Sequence, residues 1–151
     1  MNKEPSGTRL DSDDIDELVR EFFRAFARDA GGKLNLARIR SLFIAEGLII
    51  KASGVEPEIM SVEAFIAPRE KLLSEGRLTD FSEREESHVT QIFGNIAQRF
   101  STYRKSGSMD GMPFTTRGMK TMQFVRVAGA WRMAALAWDD ERDGLTIATA
   151  A

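Results

Sequence analysis

Two long stretches of alternating residues, each broken near its centre by a tight-turn signal, constrain this chain more than any other feature. The first is "EESHVTQIFGNIAQRFSTYRKSG", with Gly94-Asn95 in its middle. The second is "GMKTMQFVRVAGAWRMAALAWDDER", turning within Ala128–Ala130. Glycine in the first position of a two-residue loop suits a type II′ hairpin, whose backbone follows the natural twist of the strands. From Phe81 onward the chain therefore reads as four long antiparallel strands. A sheet of that kind needs another layer to cover it.

The residues before Phe81 supply that layer. In "SDDIDELVREFFRAFARDAGG", Ile15, Leu18, Val19, Phe22, Phe23 and Phe26 recur at helical spacing. Ser12 or Asp13 can cap this helix, acids fill its first turn and Gly31-Gly32 stop it. "NLARIRSLF" predicts a short second helix, capped by Asn35, with Leu36, Ile39 and Phe43 on one face. "GLIIKAS" (Gly47–Ser53) reads as a short strand bounded by Gly47 and Gly54. "MSVEAFIAPREKLLSEG" returns to helical spacing through Val62, Phe65, Ile66, Leu72 and Leu73. Ser61 is its cap and Gly76 its stop, and Pro68 predicts a kink or two short helices. Helices first and strands later define an α+β domain with the helices on one face of a bent sheet. The organisation expected is a loose tail over 1–10, one domain over 11–143 and a C-terminal tail over 144–151.

Composition removes whole classes of chemistry. The chain has no cysteine, so disulfides, thiolate zinc sites and a cysteine nucleophile are out, which fits a reducing compartment. Its 21 basic and 23 acidic residues are well mixed, and no basic stripe favours nucleic acid as a partner. The start, "MNKEPSGTRLDSDD", lacks the apolar core of a signal peptide, and no apolar run approaches the ~20 residues that span a membrane. A cytoplasmic protein without metal or cofactor is the expectation.

Register arithmetic then sorts side chains onto faces. A turn at Gly94-Asn95 sets Phe93 opposite Ile96, Thr90 opposite Arg99 and His88 opposite Ser101. One face carries Val89, Phe93, Ile96 and Phe100, which reads as packing. The other gathers Thr90, His88, Glu86, Arg99, Ser101 and Tyr103 beside Ile92 and Ala97, with cross-strand neighbours ~4.5–5.5 Å apart. In the second hairpin Met119, Thr121, Gln123, Val125 and Val127 fall beside Arg132, Ala134, Leu136, Trp138 and Asp140. Lys120, Met122, Phe124 and Arg126 share the opposite face with Trp131, Met133, Ala135, Ala137 and Asp139. Both faces are too apolar for water. One is expected to meet helices or a pocket and the other a second subunit, which predicts a homodimer through the sheet. An apolar wall holding Thr121, Gln123 and Asp140 suits a small-molecule pocket.

The order of elements resembles the nuclear transport factor two-like superfamily, the cone-shaped, cystatin-like fold that includes ketosteroid isomerase-like and SnoaL-like polyketide cyclase-like proteins. The resemblance covers about residues 12–142. It rests on the opening amphipathic helix, on Gly94, Ala97, Ser101 and Tyr103 in the first hairpin, and on Trp131-Arg132 in the last strand. It implies a dimer formed through the sheet and a small apolar ligand held in the cone. It assigns no catalytic residue, because the aspartate, tyrosine and protonated acid of the isomerase-type relatives have no local motif here. The His-and-Asp pairing of the cyclase type is no easier to place on a single histidine.

Candidate site residues follow from residue type. His88, the single histidine, suits acid–base work, and the alternative is a structural or solvated side chain. Asp140 is the one pocket carboxylate expected in "LAWDDERDG". Asp139 should point away toward Lys120, and Glu141 and Arg142 should mark the exit into solvent. Tyr103 can donate to a ligand carbonyl, or simply bury its ring with a wet hydroxyl. Arg99 can fork a carboxylate ligand, or pair with Glu86 or Glu85 across the sheet. Ser101, Thr121, Gln123 and Trp138 complete the expected ligand wall, Trp138 being core otherwise. Glu56 and Glu58 read as rim or loop, and Met109, Met112, Met119 and Met122 as adaptable wall or gap-filling. "SGSMDGMPFTTRG" (Ser106–Gly118) reads as a mobile connection or a lid. In an enzyme, Asp140 or His88 would move a proton while Tyr103, with Arg99 or Gln123, steadied charge on a carbonyl oxygen. The competing reading is a non-catalytic module that uses the sheet for protein association.

Overall fold

A computed structural model describes residues 6–147, with side chains described from Asp11 onward. Helix α1 (Ser6–Arg24) is followed by a 3-10 segment (Leu36–Leu42), strands β1 (Phe43–Lys51) and β2 (Glu58–Ser61), and helix α2 (Val62–Ser74). Strands β3 (Leu78–Phe93), β4 (Ile96–Met109), β5 (Met112–Val127) and β6 (Ala130–Asp140) follow. All six strands form one curved mixed sheet in the order β2-β1-β6-β5-β4-β3. Its neighbours are antiparallel except β1, which runs parallel to β6.

The helices lie on one face of this sheet because their apolar stripes have nowhere else to go. Ile15, Leu18, Val19, Phe22 and Phe23 of α1 and Phe26 in the turn after it are all buried, as are Val62, Phe65, Ile66 and Leu73 of α2. Phe26 joins the layers, meeting Phe65 of α2 and Phe81 of β3 edge-to-face at 6.2 and 5.7 Å between ring centres. Helix α1 starts at Ser6, so Ser12 and Asp13 lie inside it rather than at its cap. Residues 1–5 and 148–151, parts of the two expected tails, lie outside the described residues. Ser61 does cap α2, accepting from the Ala64 N–H at 3.0 Å. Pro68 neither splits nor ends α2. The helical bond it forgoes is to the Ala64 carbonyl, and both residues sit on the exposed side where water can serve. Strand β2 was not legible in "EIMS", and β1 begins four residues before Gly47, at Phe43.

The β3–β4 hairpin has the expected register, with Phe93 opposite Ile96, Thr90 opposite Arg99 and His88 opposite Ser101. Gly94 alone takes a positive φ, 56°, as a type II′ turn requires. The β5–β6 turn places Ala128 (φ 52°) and Gly129 (φ 82°) both in the left-handed region, a type I′ turn. The stretch read as a mobile connection is instead a third hairpin, in which β4 and β5 stay paired out to Met109 and Met112.

Two bulges correct the sorting of side chains. Glu86 is an extra residue in β3, so Glu85, not Glu86, lies opposite Tyr103 and turns toward the helices. Ala134 is an extra residue in β6, and beyond it parity flips. Leu136, Trp138 and Asp140 therefore share the inner face with Lys120 and Met122, across from Met122, Lys120 and Gly118 respectively. Thr121 and Gln123 sit opposite Ala137 and Ala135 on the outer face. Asp139 lies opposite Met119, not near Lys120, and pairs with Arg142 at 2.5 Å.

At the far end of the sheet, Asp11 of α1 receives Arg126 Nη2 at 2.9 Å and the Trp131 indole N–H at 3.2 Å. The Arg126 hydrogen bonds hold the Asp11 carboxyl below its ordinary range, against the opposing effect of burial. A carboxyl with a depressed folded-state pKa adds stability that is present above its unfolded pKa and lost as pH falls through the folded value. Acid unfolding of Asp11→Asn should therefore show a shallower loss of stability below about pH 4 than the parent. Equal acid slopes by urea titration across pH 2–6 would show that Asp11 carries none of it.

Candidate functional site

Between the helices and the inner sheet face lies a half-open cavity of about 280 Å³, close to the lower end of small-molecule pockets. Its walls are largely apolar: Phe22 of α1, Phe65 and Leu72 of α2, Phe81 of β3, Phe114 of β5 and Trp138 of β6. Charged side chains converge on it as well, namely Arg69, Glu83, Lys105 and Lys120. A sheet needs none of them for packing. Arg69 comes from α2, while the strands place the others by alternation once the bulges are counted, with Glu83 opposite Lys105 and Lys120 opposite Trp138.

Lys120 is buried, with its Nζ 3.2 Å from Glu83 Oε1. The contact is electrostatic rather than a directed hydrogen bond, since Glu83 Oε1 has no aligned donor. The ammonium also stands 4.2 Å from the Tyr103 ring centre and 5.2 Å from that of Trp138. Burial pushes the Lys120 ammonium down from its usual range, and Glu83 pulls it part of the way back. Arg69 is half-buried, with its guanidinium 3.9 Å over the Phe65 ring and Nη1 donating to the Phe65 carbonyl at 3.0 Å. The Trp138 indole N–H is buried without an acceptor.

Next to the cavity, Tyr103 donates its hydroxyl proton to Asp140, and Lys105 Nζ lies 3.3 Å from the same carboxylate. Gly118, opposite both Tyr103 and Asp140, makes this possible because no side chain stands between them. Burial first, and the Asp140 bond second, push the Tyr103 phenol far above its ordinary range. It is a neutral donor and not a proton acceptor at physiological pH.

The expected site residues thus fall into four groups. Trp138 lines the cavity. Tyr103 and Asp140 meet beside it, reached through Lys105. Arg99 and Ser101 face the helices but are taken up by an ion-pair cluster: Arg99 reaches Glu85 at 2.5 Å and Asp16 of α1 at 2.6 Å, and Ser101 donates to Glu85. His88 is exposed on edge strand β3, and Thr121 and Gln123 lie outside. Arg69, Glu83, Lys105 and Lys120 were missed. The only signal for the lysines was parity along their strands, which the Ala134 bulge inverts at Trp138. Among the described residues, no group of three or more His, Asp or Glu side chains is placed to hold a metal ion, and no helix is long and apolar enough to cross a membrane.

The same architecture occurs in solved structures. A nuclear transport factor 2-like superfamily protein from Salmonella enterica is similar with a TM-score of 0.72 at 11% identity, over 94% of this chain and 99% of that one. An NTF2-like protein of unknown function from Silicibacter pomeroyi gives 0.61 at 18% identity, over 89% and 98%. A protein with a cystatin-like fold from Caulobacter vibrioides gives 0.65 at 15%, over 87% and 89%. No family model and no curated protein matches the chain in sequence. At these identities the likeness establishes the fold, a cone-shaped α+β domain of the NTF2-like type, and the chemistry must be argued from the site.

Proposed function

We propose that this chain binds a small organic molecule in the cone between its helices and sheet, as a homodimer joined through the outer sheet face. The observation that carries the binding reading is the cavity itself, an aromatic and aliphatic chamber into which several charged groups turn at the cost of their hydration. Buried charge of that kind opposes folding unless something repays it, so its convergence on one opening favours a ligand role. The dimer rests on the outer face, where Val89, Phe93, Ile96, Phe100 and Val127 are each more than half exposed. A contiguous apolar patch across adjacent strands is a surface that associates.

One observation favours a catalytic version of the same site. The Tyr103–Asp140 pair sets a neutral hydroxyl donor beside a carboxylate next to the cavity wall, linked to it through Lys105, the residue types that proton transfer on a bound carbonyl compound uses. In that version Asp140 moves the proton and Tyr103 and Lys105 position it. Isomerase, dehydratase or cyclase chemistry of the ketosteroid isomerase-like or SnoaL-like kind would belong here. His88 takes no part, because its exposed place on β3 is separated from Asp140 by β4 and β5. A non-catalytic association module would need the outer face but leaves the charged cavity without a purpose.

Native mass spectrometry of the purified protein, repeated after denaturation, tests both parts. The expected result is a dimer with excess mass that leaves on unfolding. A bare monomer would remove the dimer. A bare dimer that also fails to take up any of a panel of small aromatic compounds would remove the ligand.

A further inference from the structure

The charges around the cavity do not balance, and the imbalance has a sign. Arg69, Lys105 and Lys120 turn toward the opening, against Glu83 alone among the lining groups. Lys120 is matched by Glu83 and Lys105 by Asp140. Arg69 forms no ion pair among the described residues; it uses Nη1 on the Phe65 carbonyl and leaves Nε and Nη2 without a protein acceptor. Trp138 adds a second unpaired donor in the same wall. Burial pushes the Arg69 guanidinium down, with Glu83 and Glu58 acting against that. An arginine stays charged nonetheless, and with no carboxylate among the described residues in contact with it, its remaining N–H groups are available to an anion.

Resting on the binding reading above, we infer that the cone's ligand is a small organic anion. It would be a monocarboxylate with a flat apolar body, its carboxylate forked by Arg69 and its body lodged among Phe22, Phe81 and Phe114. A planar guanidinium held by stacking on Phe65 is already oriented, and carboxylate recognition by two parallel N–H bonds needs that fixed plane. The aromatic lining sets the rest of the molecule: it rewards a ring and offers little to a second charge. A neutral ligand would leave Arg69 half-buried and unmatched. A cationic one would add repulsion to Lys105 and Lys120.

The test uses the full chain and three probes of one shape: 2-naphthoate, its neutral amide and naphthalen-2-ylmethanamine, titrated by calorimetry. Naphthoate should bind at least about 10-fold tighter than the amide, a difference of about 1.4 kcal/mol, and the amine should bind weakest. Arg69→Gln should weaken naphthoate far more than the amide, bringing the two to within about 3-fold of each other. Arg69→Lys should keep part of the preference, which separates charge recognition from loss of folding. Equal binding of naphthoate and amide by the parent protein would overturn the anion assignment and leave the binding reading standing. Binding of none of the three would overturn both.

Discussion

Replacing Lys120 by methionine should cost about 3–5 kcal/mol, among the largest losses any single substitution at this site would cause. The reason is the partner left behind. Glu83 has a side chain only 6% exposed, and Lys120 is the cation matched to it. Without the ammonium, the carboxylate must stay ionised in an aromatic pocket or take up a proton. The pair is itself a poor source of stability, because both ions gave up water to form it. Lys120→Met combined with Glu83→Gln should therefore recover most of the loss, and the double-mutant cycle should show a coupling of more than about 1 kcal/mol. Urea unfolding of the four proteins measures this directly. Losses that simply add would mean that the two groups do not sense each other.

The second large effect concerns Gly118, where a side chain was never an option. A Cβ built there would stand 2.3 Å from the Tyr103 hydroxyl and 2.4 Å from the Asp139 carbonyl oxygen. The phenol is held by its buried ring and its bond to Asp140, and the backbone carbonyl could not move without disturbing β6. Gly118→Ala should destabilise the fold by about 3 kcal/mol, at the upper end for overpacking. For a domain of this size that lowers the melting temperature by roughly 6–12 °C. Adding Tyr103→Phe should relieve only part of the strain, because the carbonyl contact remains. A melting temperature within a degree of the parent would show that the sheet can open at this row.

These two sites also show where reading the residues in order succeeds and fails. Alternation and turn chemistry located two of the five strand pairings, β3–β4 and β5–β6, because a two-residue turn fixes register as far as the first bulge. The burial of α1 was equally legible, since Ile15, Leu18, Val19, Phe22 and Phe23 at helical spacing admit one face. The bulges were not. Glu86 and Ala134 carry no composition signal, yet each reverses parity for everything beyond it, and the second moved Trp138 and Asp140 away from Thr121 and Gln123. The partners of Arg99 show a milder version, since Glu85 and Glu86 both looked able to reach it and only the bulge decides. Arg69 was invisible for another reason: it sits on a helix, and its role depends on which strand faces that helix across the core. Tertiary placement of that kind has no local trace.

The parallel pairing of β1 with β6 has a consequence for how the chain assembles. Each C-terminal hairpin closes over a two-residue turn, whereas the β1–β6 contacts join Leu48 to Ala135 and Lys51 to Trp138. Closing a longer loop costs more entropy before any contact repays it, so the hairpins can form early and the parallel seam late. Helix α1 leaves the ribosome well before the surface that shelters its phenylalanines exists. Until β6 is made, Asp11 has no Trp131 to receive it and Phe22 no finished wall to rest on. A helix made before the sheet is thus among the last elements to be secured.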